Sequence, residues 1–295
     1  MEAVRTPKRT PTMKFAKYQG TGNDFVMVAD PEDELVLTPG LVRRLCDRRF
    51  GIGADGVIRV APGRDGAELT MDYVNSDGSV GEMCGNGIRC LALFARAEGL
   101  TASSRIAVAT GAGRKVVDVL DDGRVRVDMG PPAFRPGEVP VATDGSDALH
   151  VKLELPGTAG DEVVVATCLS MGNPHAVLFV DDPASAPVAT LGPALERHPA
   201  FPNRTNVEFV RVDGPERITM RVWERGSGET LACGTGACAA AVAARLLAGA
   251  ASAVTVAVPG GELDVAWAGS VEKSAAVMMT GEARESFRGE IHLEA

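Results

Sequence analysis

The chain has 295 residues, of which 45% are hydrophobic and 23% charged, and its net charge at pH 7 is −9. This composition is typical of a globular protein with an ample core, in one large domain or two moderate ones, and excludes a disordered chain. The negative charge argues against nucleic acid or an anionic membrane as the main partner, and no apolar run is long enough to span a bilayer.

The N-terminal segment, residues 1–12, is basic, contains two prolines and lacks the apolar core of a secretory signal. We expect it to be a flexible extension, and we expect a cytoplasmic protein. Disulfides are rare in the cytoplasm, so the six cysteines should be thiols that serve packing or chemistry.

The first half of the chain predicts short strands and two helices. The stretch "KFAKYQGTGNDFVMVAD" indicates a strand, a glycine turn and a strand. The stretch "TPGLVRRLCDRRFG" indicates a helix with Thr38 as N-cap, Pro39 at its first position and Gly51 beyond its end. An alternating stretch then turns at Asn75–Gly78 and reaches "MCGNG" at 83–87, which an apolar helix and a meander of strands follow.

The second half repeats this order of elements. The Pro- and Gly-rich stretch 130–137 predicts a domain boundary. Strands are expected at about 163–181 and 205–223, with a helix beginning near 190, before "ACGTG" at 232–236 leads into a second apolar helix. The repeat covers half of the chain, which indicates an internal duplication rather than a solenoid.

The two motifs each place Cys-Gly-x-Gly before a helix. Glycines allow a ligand to approach the backbone closely. The free N–H groups of the first helical turn and the helix dipole favour an anion such as a carboxylate. They should also favour the thiolates of Cys84 and Cys233 and lower their pKa values.

Two such thiols facing each other would suit one class of reaction. One thiol would remove a proton from a stereocentre and the other would return a proton to the opposite face, while the helix N-termini stabilise the developing negative charge. The alternative is two buried structural cysteines, which the duplication disfavours. The default role for Cys46, Cys90, Cys168 and Cys238 is packing, and no CxxC pair indicates a zinc site.

From about Met13 to its C-terminus, the chain resembles the diaminopimelate epimerase family. Eight blocks in the expected order carry the resemblance: "GTGNDF" (20–25), "RRFGIGADG" (48–56), "YVNSDGS" (73–79), "MCGNGIRC" (83–90), "SMGNPHAV" (170–177), "RTNVEFV" (204–210), "WERGSGET" (223–230) and "ACGTGACA" (232–239).

The resemblance implies an α+β fold of two pseudo-symmetric domains, each a curled mixed or antiparallel β-sheet around a central helix. We place these domains at 13–129 and 130–276, and we expect the C-terminal strand, 277–295, to join the first. The resemblance also implies interconversion of LL- and meso-diaminopimelate without pyridoxal phosphate, another cofactor or a metal, and a homodimer as the assembly.

The family's site residues can be assigned by position. Cys84 and Cys233 match the two acid–base thiols, and His175 and Glu224 match residues that tune them. The positions that match substrate contacts are Asn23, Asn75, Gly85, Asn86, Asn173, Asn206, Glu224, Arg225, Gly234 and Thr235. Gly56 departs from the family, some of whose members have a substrate-binding glutamine there.

Several of these residues also have structural interpretations. Asn75, Asn173 and Asp55 have turn-forming neighbours, and a lone histidine such as His175 is more often a packing residue.

Rival functions are a proline or hydroxyproline racemase, which usually has histidine in place of Asn86, and a non-catalytic amino-acid-binding protein, which needs no thiols. An isomerase with an acidic residue at the first thiol position and a redox protein that uses a Cys84–Cys233 pair are further alternatives.

Overall fold

We describe residues 12–155 and 162–293 of a computed structural model. The predicted extension 1–12 lies outside these residues except for Thr12, which begins the first strand rather than ending a flexible segment. Among the described residues, none of the helices combines the length and apolar character that crossing a bilayer requires.

The first half of the chain forms strands that run along one sheet, with two helices. Its elements are β1 (Thr12–Gly20), β2 (Asn23–Ala29), α1 (Pro39–Cys46), β3 (Gly56–Pro62), β4 (Leu69–Asn75), β5 (Val80–Gly81), α2 (Gly85–Ala97), β6 (Arg105–Thr110), β7 (Gly113–Val119) and β8 (Val125–Asp128). Thr38 caps α1 as expected, its hydroxyl accepting a hydrogen bond from the Leu41 N–H at 3.2 Å.

The second half and the C-terminal segment complete the sheet. Their elements are β9 (Val151–Leu155), β10 (Glu162–Ser170), β11 (Pro174–Phe179), α3 (Val188–Glu196), β12 (Asn206–Gly214), β13 (Arg217–Glu224), β14 (Gly228–Thr230), α4 (Gly234–Leu247), β15 (Ala253–Val258), β16 (Gly261–Ala266), β17 (Met278–Gly281) and β18 (Arg284–His292).

The two halves have the same topology. β2 pairs with β3 in parallel and β4 with β6 in parallel, just as β11 pairs with β12 and β13 with β15. Helices α1 and α3 connect the first parallel pair of each half, and α2 and α4 precede the strand that completes the second. The predicted α+β fold with an internal duplication is confirmed.

The halves join where β8 and β17 pair antiparallel, and β17 also pairs with β16. The last strand, β18, pairs antiparallel with β1, next to the beginning of the chain. Both halves therefore contribute to one continuous 18-stranded sheet in the described residues.

Each half curls around one central helix. The α2 helix packs on strands of the first half, including β1, β2 and β8, whereas α4 packs on β11, β12, β13 and β16. Both helices are almost fully buried, and the Ala-rich sequence of α4 lets the surrounding strands approach closely. This packing places the N-terminal ends of α2 and α4 against each other.

Candidate active site

Each Cys-Gly-x-Gly motif forms the beginning of a central helix. Cys84 is the N-cap of α2 and Cys233 is the N-cap of α4, both with extended backbone. The glycines that follow allow the two helix ends to meet: a Cβ on Gly85 would lie 3.6 Å from the Gly234 Cα, and a Cβ on Gly234 would lie 3.4 Å from the Gly85 Cα. The free N–H groups of two helices thus converge.

A cavity of about 440 Å³ opens over these helix ends. Both cysteines line it, so they share one cavity rather than separate cores. Eleven of the thirteen predicted site residues line it, namely Asn23, Asn75, Cys84, Gly85, Asn86, Asn173, Glu224, Arg225, Cys233, Gly234 and Thr235. Lys115 and Glu82 add a second pair of opposite charges to the lining.

The Cys84 thiol lies between a donor and an acceptor. The Gly87 N–H donates to its sulfur at 3.4 Å, and the thiol donates to the Asn23 Oδ1 at 3.6 Å. The other end of that amide donates from Nδ2 to the Asp55 Oδ2 at 2.6 Å. Asp55 therefore fixes Asn23 with its oxygen towards the thiol.

The Cys233 thiol has different neighbours. Its sulfur lies 3.5 Å from the Thr235 Oγ1, and the Asn173 Nδ2 donates to that hydroxyl oxygen at 3.3 Å. The thiol also donates a hydrogen bond that helps to lower the pKa of Glu224, although burial raises that pKa overall. Glu224 is further held by the Thr230 hydroxyl, which donates to its Oε1 at 2.5 Å.

The expected lowering of the thiol pKa values is wrong for this structure. Burial raises the pKa of Cys84 to about 11, against the opposing effect of the Gly87 N–H. Burial also raises the pKa of Cys233 well above its usual value, and the negative charges of Glu224 and Glu208 add to this. Desolvation outweighs the effect of the helix terminus because both sulfurs are buried.

His175 does not touch a thiol. Its Nδ1 lies 2.7 Å from the Glu208 Oε1 and its Nε2 lies 3.0 Å from the Asn173 Oδ1, and both His175 and Glu208 are fully buried. The predicted tuning residue is therefore linked to Cys233 by hydrogen bonds through Asn173 and Thr235.

The chain is similar in sequence to known proteins along most of its length. A sequence model described as "Diaminopimelate epimerase" matches residues 15–135 and 167–285. A diaminopimelate epimerase of Moorella thermoacetica is 50% identical over 287 residues, covering 96% of this chain and 100% of that protein. A diaminopimelate epimerase of Synechococcus elongatus is 47% identical over 285 residues, covering 96% of this chain and 100% of that protein.

The chain belongs to the diaminopimelate epimerase family. The resemblance that the sequence motifs indicated is confirmed. Solved structures of more distant proteins share the fold: a probable proline racemase of Agrobacterium radiobacter has a TM-score of 0.68 at 16% identity, covering 96% of this chain and 93% of that one. A phenazine biosynthesis protein of the PhzF family from Bacillus anthracis has a TM-score of 0.63 at 16% identity, covering 96% and 100%.

Two of the asparagines that were assigned to substrate contacts form hydrogen bonds within the protein. Asn75 Nδ2 donates to the Ser79 Oγ at 3.0 Å, as its turn-forming neighbours indicated, although Asn75 also lines the cavity. Asn206 is buried outside the lining, where its Nδ2 donates to the Pro174 carbonyl at 2.8 Å and its Oδ1 accepts from the Arg225 N–H at 2.9 Å. Asn206 therefore positions Arg225.

Asn86 is the clearest candidate for a direct substrate contact through a side chain. It is 2% exposed, and its Nδ2 donates to the Ala232 carbonyl at 3.3 Å, which joins the two motifs. Its Oδ1 is buried without a hydrogen-bond partner. An unpaired buried acceptor costs stability, so a bound donor such as an ammonium group would be favoured there.

Gly56, which departs from the diaminopimelate epimerase pattern, pairs with Asn75 in the sheet. A Cβ at this position would lie 2.6 Å from the Tyr73 Cε2 and 2.7 Å from the Val74 carbonyl oxygen. The Tyr73 ring therefore occupies the space that a longer side chain at position 56 would need.

Three residues near the site lie outside the predicted set. Asp55 was interpreted as a turn residue, but it orients Asn23. Glu208 and Lys115 are the other two, and Glu208 lies in the "RTNVEFV" block, two residues after Asn206. An ionisable residue among the apolar residues Val207, Phe209 and Val210 was the signal available for Glu208. Within 12–155 and 162–293, no group of three or more His, Cys, Asp or Glu side chains could hold a metal ion.

Proposed function

We propose that this protein interconverts LL- and meso-diaminopimelate by proton transfer between two cysteines, without a cofactor. The observation that carries the proposal is the shared cavity, in which Cys84 and Cys233 cap two helices whose N-termini converge. Family membership supports the choice of substrate.

In the proposed reaction the substrate's reacting carboxylate lies over the first turns of α2 and α4. Backbone N–H groups at Gly85, Asn86, Gly234 and Thr235 would hold it and stabilise the charge that spreads into it when the α-C–H bond breaks. One sulfur, as a thiolate, takes the proton. The other, as a thiol, gives its proton to the opposite face of the same carbon, and the roles exchange in the reverse direction.

The far end of the substrate carries a second ammonium and a second carboxylate. We assign the carboxylate to Arg225, whose guanidinium can donate two parallel hydrogen bonds. Glu224, Asn23, Asn75 and Asn173 line the same cavity and offer partners for the remaining polar groups. We further propose a place in lysine and peptidoglycan precursor synthesis, a cytoplasmic location and a homodimer.

The deciding experiment is incubation with LL-diaminopimelate in heavy water, followed by separation of the stereoisomers and mass spectrometry. We expect meso product that carries deuterium at the α-carbon. Proline and hydroxyproline serve as competing substrates. A protein that binds diaminopimelate but exchanges no α-hydrogen would be a binding protein, and turnover of proline instead would assign the racemase function.

The role of the thiols is tested by Cys84→Ser and Cys233→Ser. A serine hydroxyl is a far weaker base than a thiolate, so each change should reduce kcat by several orders of magnitude. The matched control is Cys238→Ser, because Cys238 is buried in α4 and does not line the cavity. Turnover close to the unchanged protein in either active-site variant would contradict the two-thiol mechanism.

A further inference from the structure

A continuous series of hydrogen bonds links a buried carboxylate to the Cys233 sulfur. The Glu208 Oε1 lies 2.7 Å from the His175 Nδ1, and the His175 Nε2 lies 3.0 Å from the Asn173 Oδ1. The Asn173 Nδ2 then lies 3.3 Å from the Thr235 Oγ1, which lies 3.5 Å from the Cys233 Sγ.

The partners at each step fix the direction of donation. The Asn173 oxygen faces the His175 Nε2, so this nitrogen donates, and a second proton lies between the Nδ1 and the Glu208 Oε1. Asn173 accepts from this ring through its oxygen, so its amide nitrogen donates to Thr235. Because the Thr235 oxygen already accepts a hydrogen bond, its own proton can be directed to the Cys233 sulfur.

We propose that Glu208 is a positioning residue, which acts through His175 and Asn173 to make the Thr235 hydroxyl a hydrogen-bond donor to Cys233. This inference rests on the proposed function, in which Cys233 must carry a negative charge in one direction of the reaction. A donor to sulfur stabilises the thiolate and opposes the desolvation that disfavours it.

The burial of Glu208 favours such a role. Its side chain is fully buried, and its Oε2 has no hydrogen-bond partner. Packing alone would be served better by an apolar side chain, because an incompletely paired buried carboxylate costs stability. Gly236 leaves room for it at the start of α4, where a Cβ would lie 2.7 Å from the Glu208 Oε1.

Glu208 also acts on Cys233 through its charge, with the opposite sign. The carboxylates of Glu224 and Glu208 both disfavour the thiolate, whereas the Thr235 hydroxyl and the Gly236 N–H favour it, and Cys84 faces the same cavity. The proton between the His175 Nδ1 and the Glu208 Oε1 makes the pair neutral as a whole, so its effect at a distance is small. The direction of the hydrogen bonds should therefore outweigh the charge.

The Glu208→Gln substitution separates the two effects. We expect the glutamine oxygen to accept from the His175 Nδ1, which leaves the neutral ring without a proton on Nε2, so that Nε2 accepts a hydrogen bond. The Asn173 amide then turns to donate to the ring and presents its oxygen to Thr235. The hydroxyl donates to that oxygen, and the Cys233 sulfur loses its donor.

The experiment measures the rate at which iodoacetamide alkylates Cys233, followed by peptide mass spectrometry without substrate. We expect Glu208→Gln and Thr235→Val each to slow this rate about tenfold or more, as for loss of a hydrogen bond to a charged group. The double variant should be no slower than either single variant, since both remove the same bond. Thr235→Ser should keep the unchanged rate.

A buried carboxylate outside the cavity provides the matched control. Asp30 is 7% exposed and pairs with Arg59, so Asp30→Asn should leave the alkylation of Cys233 unchanged. Faster alkylation in Glu208→Gln, additive losses in the double variant, or a loss in Thr235→Ser equal to that in Thr235→Val would overturn the proposal. If Glu208→Gln does not fold, the comparison of Thr235→Val with Thr235→Ser decides.

Turnover gives a second readout. Glu208 does not line the cavity, so Glu208→Gln should lower kcat and leave KM for diaminopimelate nearly unchanged. The alkylation assay needs no substrate. A protein that shows the alkylation pattern but no epimerisation would therefore refute the proposed function and not the hydrogen-bond series.

Discussion

Cys84 and Cys233 occupy equivalent positions but are not chemically equivalent residues. Asn23 presents an acceptor oxygen to Cys84, because Asp55 binds the other end of the amide, and this arrangement favours a protonated thiol. Cys233 instead lies beside a hydroxyl and the half-buried Glu224. Any difference between the two directions of the reaction should originate in these neighbours.

Arg225 provides the residue-scale prediction for substrate binding. It is exposed at the cavity, and the Asn206 side chain holds its backbone N–H. We expect Arg225→Lys to raise KM for diaminopimelate about tenfold or more, with a smaller change in kcat, because an ammonium cannot rebuild a bidentate pair with a carboxylate. Steady-state kinetics measure both constants.

An arginine on β13, the strand that ends directly before Arg225, controls for loss of the guanidinium itself. Arg221 pairs with Glu229 and does not line the cavity, so Arg221→Lys should leave KM unchanged. An unaltered KM in Arg225→Lys, or an equal rise in both variants, would count against the assigned role.

The site residues that could be predicted from the sequence are those that lie in local motifs. Cys84 and Cys233 could be found because the helix that each one caps follows it directly. The partners that act on them could not, since 32 positions separate Asn23 from Asp55 and 33 separate His175 from Glu208. The thiol pKa values were predicted in the wrong direction because desolvation depends on the folded surroundings.

At the scale of elements, the site depends on how closely α2 and α4 approach. Their first residues, Gly85 and Gly234, have almost no room between them, and the Met279 side chain packs beside both. Larger residues there would move the helix ends apart or project into the space over them. The geometry of the carboxylate site therefore depends on glycine, which has no side chain, at both of these positions.

We predict that Gly234→Ala reduces kcat/KM about tenfold to a hundredfold while the protein still folds. The new Cβ would lie 3.3 Å from Met279 atoms and 3.4 Å from the Gly85 Cα, tight contacts that small shifts of a flexible methionine and of the helix end relieve. Such shifts displace the N–H groups that we assign to the reacting carboxylate, and misplacement of about 1 Å can cost this much. Kinetics and thermal unfolding measure the two effects.

The control is Gly40→Ala in α1. A Cβ there would meet nothing within 4 Å, and the backbone needs no positive φ. This variant should keep full activity and gain about 0.4–1 kcal/mol of stability, because alanine restricts the unfolded chain. A fully active Gly234→Ala protein would show that the close approach of the helices is not required.

Helix starts were easier to predict than helix ends. The start of α1 was correct because Thr38 and Pro39 act locally. Its end is Cys46, several residues before Gly51, because Asp47 adopts extended backbone and its side chain accepts hydrogen bonds from the Arg49 and Phe50 N–H groups. The division of the chain near residue 130 remains a prediction.

For the whole molecule, the buried cysteines predict a loss of stability at alkaline pH. Burial raises the pKa of Cys84 from its usual 9.0 to about 11, and raises those of Cys90 and Cys238 to about 12. The folded protein therefore keeps thiol protons that the unfolded chain loses above about pH 9. This contribution is complete below that pH and is lost as the pH rises through 11 to 12.

Urea unfolding over this pH range tests the prediction, with a slope of up to about 1.4 kcal/mol per pH unit for each thiol. The double variant Cys90→Ala, Cys238→Ala should be less stable at neutral pH, yet its stability should fall less steeply between about pH 9 and about pH 12. Equal slopes in the two proteins would show that these thiols do not carry the effect.

The duplication was visible in the sequence because both halves repeat their motifs in the same order. The pairing of β8 with β17, and of β1 with β18, was not derivable from periodicity, because register between distant strands depends on the folded sheet. Only the family resemblance indicated that the C-terminal segment returns to the first half.

The position of β18 makes the chain a candidate for circular permutation. In the second half β9 precedes and flanks β10, whereas in the first half the same place beside β1 is filled by β18 from the other end of the sequence. Thr12 and His292 are register partners, so a short linker would connect them. A gene that begins with β18 and continues into β1 would encode two tandem copies of one strand order, the arrangement that a fused ancestral repeat would have had.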